Sequence, residues 1–578
     1  MYQLGLNLSH DASIALAKDG EILLATEEER LTTIKHNRCD EELIKPYSSL
    51  YYPVRSMQRM FDEFEIEPGD IDAVVFSTAA EFVNGSLVSV DTSVFGTIAE
   101  QFSHDLTSAR IVKNSHHFSH FWSARCMSEA SRVVGVVVDG SGNPLNKYPD
   151  LASFWERSSI FIDEDGLTSR VQLVLPFHYY SPRLRRTVRS TNSIGEFFRR
   201  VAVAVIPPGN EPEGSMMALA SFGDADRYYR YLMGFVSLGN HGQYHIHEQE
   251  FIESDPAKSW DDQPFAFVSP DGRQIDLRNG DLEELADIAA ATQMVFETLM
   301  LHLVSYAEEI AADSRTPIAC AGGAFLNCVL NERMIRALHP RKVLLQPASH
   351  DGGVALGCVA SATSLGTGDS LRGVPEPPFL GFSPTPRENG PNLVEAPWTS
   401  ARYVAAAVEV LVAGGAIGLC VGPAEFGPRA LGHRSILADG SQSGTAEKMN
   451  KLKQRASFRP FACSILSECW GDFFESPVAS PSMMRALPCH PGKRGELGDL
   501  IHIDGTCRIQ VVDETIEPLY SLLNGFYSET GRPFLLNTSL NLKGKPIAQD
   551  EVDAFACYET LPLEGLFLER GFMLRGSR

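Results

Sequence analysis

His116-His117-Phe118-Ser119-His120 sets two imidazoles four residues apart. On a helix, positions i and i+4 share one face, so His116 and His120 can reach a single metal ion. Asp139 follows the Val-rich run Arg132–Val138 and precedes Gly140-Ser141-Gly142. A carboxylate at the end of a buried strand needs a counter-charge, and the glycine turn offers backbone amides to a phosphate. Asp351, in Ser349-His350-Asp351-Gly352-Gly353, stands at a second such turn after the strand-like Val343–Leu345. Two histidines and two aspartates form a mixed N/O set suited to Fe(II), Mn(II) or Zn(II), not a thiolate-rich zinc site. Gly322-Gly323-Ala324 falls between a strand-like and a helical segment, where two glycines let backbone approach a flat or charged ligand. The bland alternatives are a surface histidine pair and ordinary tight turns.

The C-terminal third gathers cations among glycines and prolines: Arg429 and Arg434 in Phe426–Ser435, Lys453 and Arg455 in Lys-Gln-Arg, Arg459 in Ser-Phe-Arg-Pro-Phe, and Arg508. Leu536-Asn537-Thr538-Ser539-Leu540-Asn541 adds Ser539 and Asn541. In a chain of net charge −23, such a cluster reads as an anion pocket, since guanidinium grips phosphate and carboxylate bidentately. The competing reading is a solvated basic face, and Arg434 could equally pair with a structural carboxylate. There is no G-x-x-x-x-G-K-[ST] phosphate loop.

These residues need an α/β frame to hold them. Strands are expected at Gln3–Leu8, Ser13–Ala17 and Glu21–Ala25, with Lys18-Asp19-Gly20 as a hairpin turn. Further strands are expected at Ile71–Ser77, Arg132–Val138 and Pro317–Ala321. Helical periodicity covers 54–67, about 282–312 and 325–338. The 403–422 stretch, broken by Glu409 and Gly414-Gly415, reads as a helix followed by a strand. A Pro/Gly-rich, aperiodic segment marks a domain boundary, giving domains 1–375 and 401–578 around a linker at 376–400. No internal repeat is evident. The 578 residues allow several large cores. With 50 basic against 73 acidic residues, general nucleic-acid binding is disfavoured. The eleven cysteines form no C-x-x-C pair, and no signal-peptide pattern opens the chain, so the expected compartment is the cytoplasm, with no membrane partner.

Gly5-Leu6-Asn7, His10-Asp11-Ala12-Ser13, Glu27-Glu28-Glu29-Arg30, Lys35-His36, the His-x-x-x-His pair, Asp139-Gly-Ser-Gly, Gly322-Gly323-Ala324 and Ser349–Gly353 occur in that order. The series resembles the NodU/CmcH family of O-carbamoyltransferases from Gly5 almost to the end of the chain. The resemblance implies an N-terminal actin/Hsp70-like ATPase fold of the TsaD type and a C-terminal YrdC-like α/β domain. It implies that His116, His120, Asp139 and Asp351 bind an iron-type divalent metal. Gly140, Ser141, Gly322, Gly323 and Asn327 would bind nucleotide and the carbamoyl group, and His10 and Lys35 would lie at the transfer site. In the C-terminal half, Arg429, Arg434, Lys453, Arg455, Arg459, Arg508, Ser539 and Asn541 would take ATP, escorted by Mg2+, and carbamoyl phosphate. Two features depart from the family pattern. Ser215 stands where a lysine is usual, and 227–242 offers no clear counterpart of the mid-domain catalytic aspartate.

The expected reaction forms carbamoyladenylate from carbamoyl phosphate and ATP, then transfers the carbamoyl group to a hydroxyl of a small-molecule acceptor. Three rivals remain: a threonylcarbamoyl-type tRNA-modifying enzyme, an actin-fold small-molecule kinase and a non-catalytic nucleotide-binding scaffold. The acidic balance weighs against the first, although Arg183, Arg185, Arg186, Arg189, Arg199 and Arg200 form a local basic cluster.

Overall fold

The structure is a computed structural model. It describes residues 1–37, 51–78, 82–83, 86–87, 92–140, 142, 155–207, 211–253, 266–362, 364–366, 371, 373–387 and 393–575. Ser141 lies outside the described residues. The chain folds into two compact units, Met1–Glu129 with Leu345–Arg578, and Ala130–Leu344.

In the first unit, β1 (Tyr2–Asn7), β2 (Ser13–Lys18) and β3 (Glu21–Glu27) form an antiparallel meander. Asp19 and Gly20 both take positive φ, as a tight turn between twisted strands requires. After α1 (Val54–Phe64), β4 (Ile71–Ser77) and β5 (Arg110–Lys113) add in parallel, giving the order β3-β2-β1-β4-β5. The next element is α2 (His116–Arg125), with nine of its ten residues buried.

The second unit repeats this plan. β6 (Arg132–Val138), β7 (Ser158–Glu164) and β8 (Leu167–Val174) form another antiparallel meander. Helix α3 (Leu282–Ala311) leads to β9 (Ile318–Ala321), which pairs in parallel with β6, then α4 (Cys328–Leu338) and β10 (Val343–Leu345). The order is β8-β7-β6-β9-β10. A duplication invisible in the sequence is therefore plain in the topology. By length and composition α3 could cross a membrane, but 72% of its apolar window is buried in the protein, as expected of a core helix.

The chain returns to the first unit with α5 (Val354–Ala360), which packs on α2 and β1. There follow β11 (Val394–Glu395), α6 (Ala401–Val412), β12 (Ala416–Cys420), β13 (Arg434–Ala438), α7 (Thr445–Leu452) and β14 (Ala462–Leu466). The last elements are β15 (Ala486–Pro488), β16 (Thr506–Val512), α8 (Leu519–Thr530), β17 (Phe534–Ser539), α9 (Glu551–Thr560), β18 (Gly565–Leu568) and β19 (Gly571–Leu574). They make a nine-stranded mixed sheet, β11-β19-β18-β12-β13-β17-β14-β16-β15. Side chains alternate across it. Ile417 and Leu437 join the core under α6 and α8, whereas Ala416, Ile436 and Ala438 join the core under α7 and α9. The helix-then-strand reading of 403–422 corresponds to α6 and β12. The described part of 376–400 is tied down on two sides. Ala25 N–H donates to the Leu380 carbonyl, and Leu380's neighbours Pro378, Gly381 and Phe382 exchange backbone hydrogen bonds with Ala424 and Phe426.

Helices α2 and α5 approach closely at Gly357, where a Cβ would strike the Ser119 carbonyl and sit 2.9 Å from Ser123 N. No larger residue fits without separating the helix that carries His116 and His120 from the turn that carries Asp351. Gly357→Ala should destabilise the protein by about 1–3 kcal/mol through overpacking. Chemical denaturation measures this, and an unchanged midpoint would contradict the contact.

Candidate transfer and activation sites

In the first unit, Asn7 at the end of β1 organises a buried polar cluster. Its buried amide nitrogen is shared among the carbonyls of His10, Asp11 and Asp351, at 3.3, 3.0 and 3.0 Å. The Ser9 hydroxyl donates to Asn7 Oδ1 at 2.7 Å and lies 3.5 Å from Asp351 Oδ2. One strand end thus fixes two loops more than 340 residues apart in the chain.

Around Asp351 stand three imidazoles. His116 Nε2 and His120 Nε2 each lie 3.3 Å from Asp351 Oδ1, and 3.2 Å from each other. All three side chains are buried. His10 Nε2 lies 3.4 Å from Asp351 Oδ2, with 60% of its side chain exposed. Burial pushes the Asp351 carboxyl up, but His116, His10 and His120 outweigh it and hold it well below the usual carboxylate range. Donor atoms about 3 Å apart match the ligand–ligand edge of a divalent ion with bonds near 2.0–2.2 Å. Two imidazole nitrogens and a carboxylate oxygen gathered at one point are also the donor types such an ion selects. The geometry fits a metal.

A second row of charges lies alongside. His350 Nε2 meets Glu27 Oε1 at 2.8 Å, and Arg30 Nε lies 3.6 Å from Glu27 Oε2. Burial alone would lower the His350 imidazole, but the Glu27 carboxylate raises it to about 9. Nearer the surface, His36 Nδ1 bonds Asp11 Oδ1 at 2.8 Å, and the Glu29 carboxylate accepts from His36 N. The Asp11 hydrogen bond raises the His36 imidazole, an orienting contact of the kind a general base uses. Lys35 begins the same short turn, Lys35–Asn37.

In the second unit, Asp139 and Gly140 follow β6, and Gly322 and Gly323 follow the parallel strand β9. Gly323 N–H donates to Asp139 Oδ1 at 3.2 Å. Ser193, the N-cap residue of the helix Ile194–Val205, donates from its hydroxyl to the Asp139 and Gly140 carbonyls. These four residues therefore converge. Asn327 instead caps α4, accepting from Leu330 N–H, and pairs with Gln293.

In the C-terminal sheet, Lys453, Ser539 and Asn541 come together. The Lys453 ammonium donates to Ser539 O, Asn541 O and Asn541 Oδ1 at 2.6–2.8 Å, and the Ser539 hydroxyl donates to Asn541 Oδ1. Arg455 lies over the Phe461 ring and donates to Asn450 and to the Pro460 carbonyl. Arg429, Arg459 and Arg508 are half-buried. The expectation for Arg434 needs correction. It is fully buried, and its guanidinium donates to the carbonyls of Gln549, Val421, Gly422, His433 and Phe382. It is a structural strut and not an anion ligand.

Asn7, Asp11, Glu27, Arg30, His36 and His350 carry no assigned role in the sequence reading. Each lies in a motif quoted there, and the signal was the adjacency of acidic and basic types within Glu27–Arg30 and His350-Asp351.

Family models described as carbamoyltransferase N-terminus and carbamoyltransferase C-terminus match residues 94–360 and 408–575. Nodulation protein NolO of Bradyrhizobium diazoefficiens is 30% identical, over 78% of this chain and 77% of its own. Nodulation protein NolNO of Sinorhizobium fredii is 29% identical over 96% of this chain and 78% of its own. The 3'-hydroxymethylcephem-O-carbamoyltransferase of Streptomyces clavuligerus is 30% identical over 57% of this chain and 58% of its own. The protein is thus an α/β enzyme that transfers carbamoyl groups. It belongs to the NodU/CmcH family of O-carbamoyltransferases.

Arg434→Met should remove five buried hydrogen bonds at once. The expected cost is more than about 3 kcal/mol, since each abandoned buried carbonyl costs about 1 kcal/mol or more. Thermal melting reads it. A stable variant with weakened ATP binding would return Arg434 to the anion pocket.

Proposed function

We propose that the enzyme works through two sites, an activating site in 401–578 and a transfer site in 1–375, with 376–400 between them. In this reading the first part has the actin/Hsp70-like, TsaD-type fold, which the repeated strand order supports. The second part is the YrdC-like half. Carbamoyl phosphate is cleaved by water to carbamate and phosphate. A carbamate oxygen attacks the α-phosphorus of ATP, pyrophosphate leaves, and carbamoyladenylate forms. Arg429, Arg455, Arg459 and Arg508 neutralise and position the phosphates, while Lys453, whose three N–H groups are held by Ser539 and Asn541, adds its charge to the pocket and fixes that corner of it. Mg2+ accompanies ATP.

At the transfer site an acceptor hydroxyl attacks the carbamoyl carbon and AMP leaves. His116, His120 and Asp351 would hold a divalent metal of the Fe(II) type, and the family resemblance adds Asp139. Such an ion supplies Lewis-acid stabilisation of the phosphate charge. His10 and the Asp11-oriented His36 take the hydroxyl proton, and Lys35 offers a cation to the developing negative charge. The observation that carries this reading is the buried His116–His120–Asp351 donor cluster, with exposed His10 at its edge, in a chain of this family. Incubation with carbamoyl phosphate, ATP and a panel of hydroxylated metabolites tests it by mass spectrometry. Gain of one carbamoyl group is expected. Release of ADP instead of AMP and pyrophosphate would favour a kinase, and salt-sensitive tRNA binding would favour the tRNA-modifying rival.

Lys453→Ala or Arg508→Ala should abolish carbamoyl phosphate-dependent pyrophosphate release. Undiminished release in both, with folding intact, removes the activating-site assignment. His10→Asn should spare pyrophosphate release yet slow acceptor carbamoylation by about 10²–10⁴-fold.

Purified protein should carry about one equivalent of transition metal, by the donor chemistry of the cluster. The His116→Ala, His120→Ala double variant should lose it while still releasing pyrophosphate. Elemental analysis decides, and full transferase activity of metal-free protein under chelator would end the metal assignment.

A further inference from the structure

Arg30 is a cation with 3% of its surface exposed, and the reaction scheme gives it no task. Its guanidinium reaches in two directions. On one side Nε lies 3.6 Å from Glu27 Oε2, and the other oxygen of that carboxylate binds His350 at 2.8 Å. His350 immediately precedes Asp351, and the Glu27 carboxylate packs directly against Gly352, where a Cβ would collide with it. On the other side Nη2 donates to the Glu425 carbonyl at 3.2 Å and to the Gly427 carbonyl at 2.7 Å. Those carbonyls belong to the loop that carries Arg429.

That loop is a rigid piece. The buried Glu425 carboxylate accepts from the backbone N–H groups of Leu431, His433 and Arg434 at 2.7–3.0 Å, closing it into a ring. The ring also rests on the turn leading into Asp351. Gly427 has φ +115°, and a Cβ there would sit 3.1 Å from the Pro347 carbonyl and 3.2 Å from Ala348. The arginine-bearing loop and the aspartate-bearing turn therefore touch directly and share one buried guanidinium. Three charged side chains, Arg30, Glu27 and Glu425, are buried to make this joint. Such groups are costly to bury unless they are paired and hydrogen-bonded, as these three are.

We propose that Arg30 is a positioning residue for both sites at once, holding the Arg429 loop in register with the His350-Asp351 turn. It rests on the two-site reading above. Loss of the joint loosens the grip on the anionic substrate and the Asp351 ligand geometry together. Groups that orient metal ligands without touching the ion typically change affinity about 10–100-fold.

The control is Arg59 on α1, which also ties the N-terminal part to the C-terminal segment, through Asp550 at 3.1 Å and the Ser383 carbonyl at 2.7 Å, but bonds to neither loop. In the full-length protein, Arg30→Lys should raise the KM for carbamoyl phosphate in pyrophosphate release about 10-fold. It should also weaken Co2+ binding, read by titration of the metal's visible absorption, by about 10-fold. Arg59→Lys should change each less than about twofold. Gly427→Ala keeps Arg30 but pushes the loop off the Pro347–Ala348 turn, so it should reproduce the paired loss if Arg30→Lys fails to fold. Loss of only one affinity, or equal effects of Arg59→Lys, overturns the proposal. A wild type that releases no pyrophosphate would sink the two-site reading and with it the claim that Arg30 serves both sites, and the Co2+ titration would then decide only whether Arg30 positions the Asp351 turn. A wild type that also binds no Co2+ overturns both.

Discussion

Asp351 is a carboxylate almost fully removed from water, and the first unit is arranged around making that tolerable. A buried ionised group persists only where opposite charge and hydrogen bonds replace its hydration. Here three imidazoles lie within 3.4 Å of its oxygens, and the Asn7 amide holds its own carbonyl. The cost of burying Asp351 is recovered only if β1, α2 and the turn at 350–353 arrive together. The glycine contact between α2 and α5 and the strand end at Asn7 enforce that arrival. Fold and site are in this sense one constraint seen at two scales.

The same logic separates the two histidine classes. His116 and His120 are buried with their Nε2 atoms 3.2 Å apart and both beside Asp351, away from solvent. His10 and His36 are exposed beside carboxylates and so remain able to exchange protons with a substrate. Burial separates the two pairs, and in the proposed mechanism the first would hold an ion and the second would move protons.

Local features of this fold were legible in the sequence, and long-range ones were not. The strand bounds expected at Ile71–Ser77 and Arg132–Val138 match the structure, the latter because a nearly continuous β-branched run buried on both faces has few other uses. The His-x-x-x-His spacing predicted a shared helical face, and α2 supplies it. Hidden from sequence were partners that are backbone. Arg434 looked like an anion ligand because a sequence shows a charge but not the five carbonyls folded around it. Asn7, Glu27 and Arg30 were hidden for a related reason: their partners lie up to nearly 400 residues away. The duplicated sheet order escaped notice because strand topology depends on where apolar runs fall, and unrelated apolar residues fill those runs equally well.

Arg30 and Arg434 together show what charge does in an acidic chain. Neither is solvated: Arg434 gives its donors to carbonyls of loops that lack regular pairing, and Arg30 gives Nη2 to two such carbonyls while its Nε faces Glu27. Guanidinium suits this work because its planar fork serves several acceptors at once and stays charged when buried. Lysine, a compact and strongly hydrated point charge, could replace neither without abandoning acceptors. The Gly/Pro-rich loop 423–434 thus gains order from Arg30 on its Glu425 and Gly427 carbonyls and from the Glu425 carboxylate on its own amides, while Arg434 fastens its end to neighbouring loops. Arg429, half-buried in the same loop, is the arginine there that the proposed mechanism sets against a phosphate, on a backbone these contacts already hold.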